Sequence, residues 1–249
     1  MIEAKNVSKS FGDHLVLDNI SVKFDKGKTN LIIGQSGSGK TVLMKCLIGL
    51  YDVDLGKIYF DGRNFSKMSM NEMKHIRQEL GMLFQGGALF DSMTVEQNVV
   101  FPLSMFTNQS EAEKRDRANF CLSRVNIHNA NNLYPSEISG GMKKRVAIAR
   151  AISLNPKYLF CDEPNSGLDP ITANLIDNLI SEITHEYNIT TVINTHDMNS
   201  VIEIGDNIAF INEGKLWWEG DRNSIMTSDN KELNDFVFAT ELTRKLRKF

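Results

Sequence analysis

Apolar and polar positions alternate in short runs over residues 2–24, first in Ile2-Glu3-Ala4-Lys5-Asn6-Val7 and again from Val16 to Phe24. Gly12-Asp13 stands between the runs as a turn signal, so the pattern predicts an antiparallel pair of strands. Asp25-Lys26-Gly27-Lys28 is a second turn, leading into the apolar strand Leu31-Ile32-Ile33. A helical pattern follows from Val42 to Ile48. Asp54-Leu55-Gly56 then turns into a strand, Lys57 to Phe60, closed by Asp61-Gly62. Asn71 to Glu79 reads as helix, and Leu80-Gly81-Met82-Leu83-Phe84 as a buried strand ending at Gln85.

The pattern changes from Thr94 to about Leu133, where no strand signal appears. Val95, Val99 and Leu103 are spaced for one helix, with a break expected near Pro102. Ser110 to Val125 predicts a second helix, opened by a capping box of Ser110 and Glu113. Another helix is predicted from Lys143 to Ser153. Beyond it, the apolar strand Tyr158 to Cys161 precedes a long helix, Pro170 to Tyr187. Strand Thr190–Asn194, helix 198–204, strand Asn207–Asn212 and Leu216-Trp217-Trp218 complete the series. Strands alternating with helices imply an α/β fold with a mostly parallel sheet covered on both faces. To it the chain adds an antiparallel β subdomain and a helical insertion of about 94–154. Residues 1–228 are expected to form one domain, and 229–249 a helical tail. No repeat or low-complexity tract is present.

Composition narrows the class. The 249 residues are 41% hydrophobic and 24% charged, as in an ordinary soluble globular protein. Lys plus Arg 28 against Asp plus Glu 31 leaves a net charge of −3, no electrostatic footprint for nucleic acid. Cys46, Cys121 and Cys161 lie far apart without a C-x-x-C, which points to a reduced compartment and no structural disulfide. No run approaches the roughly 18 apolar residues of a membrane span, and the N-terminus lacks a signal-peptide apolar core. A cytoplasmic protein is the expectation.

The chemistry centres on GQSGSGKT, Gly34-Gln35-Ser36-Gly37-Ser38-Gly39-Lys40-Thr41, followed by Val42. Between a strand and a helix, G-x-x-x-x-G-K-[ST] reads as a phosphate-binding P-loop. Glycines at 34, 37 and 39 let successive N–H groups turn inward around an anion, and the helix end adds partial positive charge. Lys40 would reach the β- and γ-phosphates, and the Thr41 hydroxyl would ligate Mg²⁺. Asp162 ends an apolar strand at the edge where α/β sheets bind ligands, and would serve as the metal-side carboxylate, directly or through water. Glu163, next to it, is placed to orient or deprotonate the attacking water. Gln85 can touch Mg²⁺ or the water, and an imidazole at His196 could bond the γ-phosphate. Taken alone, a Gln in this position is more often a solvated loop residue, and a lone His more often a surface or core residue. Ser139-Gly140-Gly141 opens a helix as another anion-binding device. A chain that already has a P-loop needs a second cradle only if it serves a second molecule.

GQSGSGKT, Gln85, ISGGMKKRVAIARAI, YLFCDEP, SGLDP and Thr195-His196-Asp197 occur in the order and spacing of ATP-binding-cassette (ABC) ATPases, which the chain resembles over about residues 2–225. The resemblance implies a P-loop (RecA-like) core, ATP and Mg²⁺ as ligands, and two subunits paired head to tail. Each ATP would lie between the P-loop of one copy and Ser139-Gly140-Gly141 of the other, with Asp169 bridging the sites. Phe11 matches the family's adenine-stacking aromatic, although a plain packing role is also open there. Met142 replaces the usual Gln after the signature glycines, and Asn165 stands where Ser, Thr or Phe is common. Neither removes a phosphate or metal ligand, so hydrolysis is expected to survive.

LFQGGALFDSMTVEQNVVFPL and SGGM are similar to ATPase subunits of Mla-type lipid transporters, which work with MCE-domain proteins in Gram-negative envelopes. That likeness implies an integral-membrane permease partner, gripped by the loop after Gln85. It also implies an MCE-domain lipid-binding protein, a small accessory subunit and a peripheral position on the inner membrane. In the tail, Phe238, Leu242, Leu246 and Phe249 fall at helical spacing among Arg244, Lys245, Arg247 and Lys248. Three uses fit: packing on the chain's own core, docking on a partner or accessory protein, or lying on anionic lipid. A soluble ABC ATPase of DNA repair or translation, a nucleotide kinase and a regulator without turnover are the rivals. Lack of basic excess, Ser139-Gly140-Gly141 with His196, and intact Asp162-Glu163 count against each in turn.

Overall fold

The computed structural model describes residues 1–238. In chain order the elements are β1 (Ile2–Phe11), β2 (His14–Phe24), β3 (Thr29–Ile33), α1 (Lys40–Leu47), β4 (Leu55–Phe60) and β5 (Arg63–Asn64). Next come α2 (Met70–Gln78), β6 (Leu80–Leu83), α3 (Val95–Phe106), α4 (Glu111–Arg124), α5 (Gly140–Ile152) and β7 (Tyr158–Asp162). The remainder is α6 (Pro170–Glu186), β8 (Thr190–Asn194), α7 (Met198–Ile204), β9 (Asn207–Asn212), β10 (Lys215–Gly220) and α8 (Lys231–Val237). The described residues divide into two compact units, one of residues 1–69 and 190–238, the other of residues 70–189.

The first unit holds an antiparallel sheet in the order β2-β1-β4-β5. Its first hairpin pairs Ile2 with Phe24 and Phe11 with His14, as the alternation around Gly12-Asp13 predicts. The same unit carries parallel strands: β3 lies between β8 and β9, with Ile32 opposite Asn194 on one side and Ala209 on the other. All five residues of β3 and of β8 are buried, as strands covered on both faces must be. β10 joins β9 antiparallel, with a register shift between Leu216 and Trp218. α8 buries Leu233 and Val237, and Phe238 is buried behind them. The Phe236 ring lies 5.5 Å from Phe210. The described start of the tail therefore packs on its own unit; Leu242, Leu246, Phe249 and the four basic positions lie outside the described residues.

In the second unit, β6 and β7 pair parallel with Leu83 opposite Cys161, and α3, α4 and α5 pack against one another. Ser110 caps α4 in the expected box with Glu113. Three sequence expectations are corrected here. α3 does not break at Pro102 but runs on to Phe106. Losing one backbone bond at proline costs about 3 kcal/mol. Burying Val95, Val99 and Leu103 on the same face returns about 1.5–3 kcal/mol each, which outweighs it. α5 starts at Gly140 rather than Lys143, because Ser139 is its N-cap and accepts from the Met142 N–H at 3.2 Å. β6 is only alternately buried, and Phe84 is exposed.

The three cysteines are free and buried. Burial pushes the Cys46 and Cys121 thiols up to about 11, so these two stay protonated near neutrality.

Candidate functional site

The first unit builds a cradle from the turn between β3 and α1. Gly34 sits at φ 148°, and a Cβ there would stand 2.0 Å from the Ile211 carbonyl oxygen. No other residue fits, and the backbone is free to curl. Gly37 and Gly39 take φ 83° and 104°, and Gly39 caps α1 without a side chain. The Ser38 carbonyl accepts from the Gly214 N–H at 3.0 Å, which fixes the turn to the β9–β10 hairpin.

Lys40 is buried, and its ammonium donates to the Gly34 and Gln35 carbonyls at 2.8 Å each. Gln35, Ser36, Gly37 and Thr41 are exposed, and Val42 half-buried, at the same helix end. Ser38 Oγ is buried without a hydrogen-bond partner. An orphaned hydroxyl in a glycine turn at the start of a helix fits an anion with acceptor oxygens.

Thr41 Oγ1 accepts from the Asn194 carboxamide at 3.1 Å. Because Ile32 faces Asn194 in the parallel register, Gly34 and His196 fall at equivalent positions past the ends of adjacent strands. His196 is exposed there. Phe11, at the end of β1, is exposed; its ring centroid lies 5.2 Å from that of Tyr51 in a T-shaped pair, and the Lys9 ammonium lies over the Phe11 ring, 5.4 Å from its centroid.

The second unit repeats the device at β6 and β7. Leu83 faces Cys161, so Gln85 and Glu163 each stand two residues past matched positions. They meet: Gln85 Nε2 donates to Glu163 Oε2 at 2.8 Å. Glu163 holds φ 46°, a left-handed conformation that costs a non-glycine residue about 1–3 kcal/mol and persists where its surroundings impose it. Asp162, just before it, is half-buried.

One turn into α5, Lys144 is buried. Its ammonium donates to the Gln85 carbonyl and, at 3.5 Å, to that of Glu163. Burial pulls the Lys144 pKa below the ordinary lysine value, against the raising influence of Cys161, Glu163 and Asp162. Two turns later Arg150 donates to the Gly87 and Ala88 carbonyls at 2.8 and 2.7 Å.

Ser139 and Gly140 are exposed and Gly141 half-buried at the start of α5. With Arg145, Leu168 and Asp169 they line a cavity of about 530 Å³. A Cβ at Gly141 would lie 2.7 Å from Thr172 Cγ2, so the Thr172 side chain would have to shift to admit one. Asp169 caps α6, accepting from the Ile171 and Thr172 N–H groups at 3.1 and 3.0 Å. Bonding from Thr172, side chain and main chain, holds its carboxyl below the usual range.

Lys144 and Arg150, inside the ISGGMKKRVAIARAI run but without a role of their own there, join these groups, as do Asn194 and Tyr51, which belong to none of the motifs. Their partners are distant in sequence, and only the matched ends of parallel strands could have suggested Asn194. Among the described residues no cluster of three or more His, Cys, Asp or Glu could cage a metal. Thr41 in the first unit, and Asp162 and Gln85 in the second, each carry an oxygen donor of the kind a hard cation such as Mg²⁺ takes.

The family described as ABC transporter matches residues 17–166. The chain belongs to this family. It is 37% identical over 237 residues to the intermembrane phospholipid transport system ATP-binding protein MlaF of Haemophilus influenzae, covering 95% of this chain and 90% of that one. The methionine import ATP-binding protein MetN of Clostridium tetani is 38% identical over 242 residues, 97% of this chain and 76% of MetN. The "Probable ribonucleotide transport ATP-binding protein mkl" of Mycobacterium leprae is 37% identical over 236 residues; the chain spans 68% of its length.

Among solved structures, a dimeric ATP-binding cassette in a post-hydrolysis state bound to ADP and Pi superposes with a TM-score of 0.81. It is 31% identical, over 89% of this chain and 99% of that one. A Clostridium perfringens subunit of the ABC transporter complex cbiONQ gives 0.85 at 27% identity, with 98% of each chain covered. The chain is thus an ABC transporter ATP-binding subunit and an ATPase, with the α/β architecture of these cassettes. No helix among the described residues is long and apolar enough to cross a membrane.

Proposed function

We propose that this chain works as one of two identical subunits that bind and hydrolyse ATP to drive an integral-membrane permease, and that the transported molecule is phospholipid. The observation that carries the catalytic part is the Gln85–Glu163 hydrogen bond at the ends of two adjacent parallel strands. A carboxylate held beside a carboxamide donor, at a sheet edge where ligands bind, suits the handling of one water molecule.

In this reading Phe11 stacks on adenine, and the amides of Gly34 to Val42, the Ser38 hydroxyl and Lys40 take the phosphates. Lys40 would exchange its two carbonyl partners for phosphate oxygens. Thr41, Asp162 and Gln85 would hold Mg²⁺, which when bound neutralises developing charge on the phosphate oxygens. Glu163 accepts a proton from water while the water oxygen bonds to the γ-phosphorus. The bond from that phosphorus to the bridging oxygen breaks, and ADP leaves with its electrons. His196 and Lys40 stabilise the charge on the transferred group. Ser139, Gly140 and Gly141 of the second copy close over the same γ-phosphate with the N-terminus of α5, and Asp169 bridges the paired sites.

Phospholipid is favoured by the match to MlaF over 90% of its length and by the likeness of the segment after Leu83. An MCE-domain lipid-binding protein and a small accessory subunit would then belong to the complex, which would hold the chain on the inner membrane. MetN matches as well, so methionine-like cargo is the competing reading.

Two measurements test this. Glu163→Gln should lower hydrolysis on the order of a hundredfold or more, leave ATP binding intact and trap the closed pair. Parental turnover in that variant would remove Glu163 from the mechanism. The complex purified with its permease should carry phospholipid; a complex without lipid whose turnover responds to a small amino acid would replace the cargo assignment.

A further inference from the structure

Lys144 is charged, buried and aimed at two main-chain carbonyls rather than at a carboxylate. This arrangement is unusual, since a lysine ammonium loses its hydration on burial and normally recovers it with an anion. Its two acceptors are Gln85 and Glu163, the same residues whose side chains bond each other at 2.8 Å. The three groups form a closed triangle in which Lys144 holds the backbones and the carboxamide holds the carboxylate. Glu163 is also the member in a left-handed conformation at φ 46°. Such a conformation persists where surrounding contacts impose it: the Glu163 carbonyl accepts from Lys144 and, at 3.2 Å, from the Ser166 N–H, while the side chain accepts from Gln85. Lys144 sits on α5, whose first turn is Ser139-Gly140-Gly141, so a single helix carries both the phosphate-reading end and the clamp.

We infer that Lys144 is a positioning residue for hydrolysis: it sets the backbone of Glu163 and Gln85 against α5, so that the carboxylate is aimed only when that helix is in place. The inference rests on the reading of Glu163 as the group that handles water. Held on main-chain carbonyls rather than on phosphate, the Lys144 amine acts through Gln85 and Glu163, so its loss should appear in turnover rather than in nucleotide affinity. Arginine, with five donors on a longer stem, can reach the same carbonyls. Methionine keeps the length and apolar packing of the stem but donates nothing.

The test is steady-state hydrolysis by the full chain and its K144M, K144R and E163Q variants, with melting temperatures alongside. K144M should lower kcat by about tenfold or more, as loss of a charge-assisted bond predicts, and keep KM for ATP within about twofold. K144R should restore most of the turnover. If E163Q hydrolyses like the parent, the catalytic reading fails and this inference falls with it. If E163Q is inactive and K144M keeps parental kcat, the inference alone is overturned. It is also overturned if K144M loses affinity in step with kcat and K144R gives no rescue, because that is a general defect of folding. Should K144M not fold, K144Q takes its place: a several-fold fall in kcat at unchanged KM supports the clamp, and parental kcat overturns it.

Discussion

At the scale of single residues, the sequence displays groups whose chemistry is written in their neighbours, and hides groups that work through distant contacts. Gly34, Lys40, Thr41, Asp162 and Glu163 announce themselves because a glycine turn or an apolar run stands beside them. Asn194 does not. It reads as the polar last residue of a strand, yet it is fully buried and bonds Thr41 Oγ1, 153 positions away. Lys144 looks like one of three consecutive basic residues, Lys143-Lys144-Arg145, and its acceptor carbonyl at Gln85 is 59 positions away. A bond from Asn194 to the Thr41 hydroxyl leaves that oxygen one lone pair in a fixed direction, which favours a metal ligand already aimed. Replacing Asn194 by Val keeps a strand-forming side chain and frees the hydroxyl to rotate. A neutral hydrogen bond is worth about 0.5–1.5 kcal/mol net, so the Mg²⁺ concentration for half-maximal ATP binding should rise roughly two- to tenfold. A Mg²⁺ titration of nucleotide binding reads this directly, and an unchanged midpoint would mean that Asn194 serves the sheet alone.

Elements were legible where one local signal dominated. The hairpin of β1 and β2 follows from alternation around Gly12-Asp13, and α4 from its Ser110–Glu113 box. α3 is the exception, because it continues through Pro102 on contacts that lie outside the local sequence. Its start is fixed by a second capping box, Thr94 with Gln97, the Thr-x-x-Gln form of the same signature. The fully buried Asn98 carboxamide also donates to the carbonyls of Phe90, Met93 and Thr94 and accepts from the Phe90 N–H. With the entry to the helix so tied, Pro102 forfeits one backbone bond without releasing the turns on either side. Pro102→Ala should therefore restore that bond and stabilise the chain. The gain is about 1–2 kcal/mol once the freer unfolded chain is set against the helix preference. At this chain length it corresponds to a rise in melting temperature of roughly 2–8 °C. A fall in melting temperature would show instead that the proline ring packs as part of the helix's buried face.

For the whole molecule the question is which chain completes which site. The P-loop belongs to one compact unit and the Ser139-Gly140-Gly141 helix end to the other, and sequence order does not say whether one chain uses both on one nucleotide. Each is suited to phosphate, and the pairing of two copies gives both a use. Complementation decides it. Lys40→Ala removes the cation of the cradle. Gly140→Asp places a negative charge at the exposed start of α5, where a Cβ meets nothing nearer than Leu168 Cδ2 at 3.7 Å; it disturbs phosphate rather than the fold. Each variant alone should be nearly inactive. In a mixed pair one site collects both defects while the other takes Lys40 from the second variant and Gly140 from the first, so it is intact. With random pairing half of the dimers are mixed and each has one good site of two, so an equal mixture should recover about a quarter of the parental turnover. If both halves of a site came from one chain, every site in the mixture would carry one defect. Recovery on mixing thus separates the two arrangements by turnover alone, and a mixture as inactive as its components would overturn the paired-copy reading.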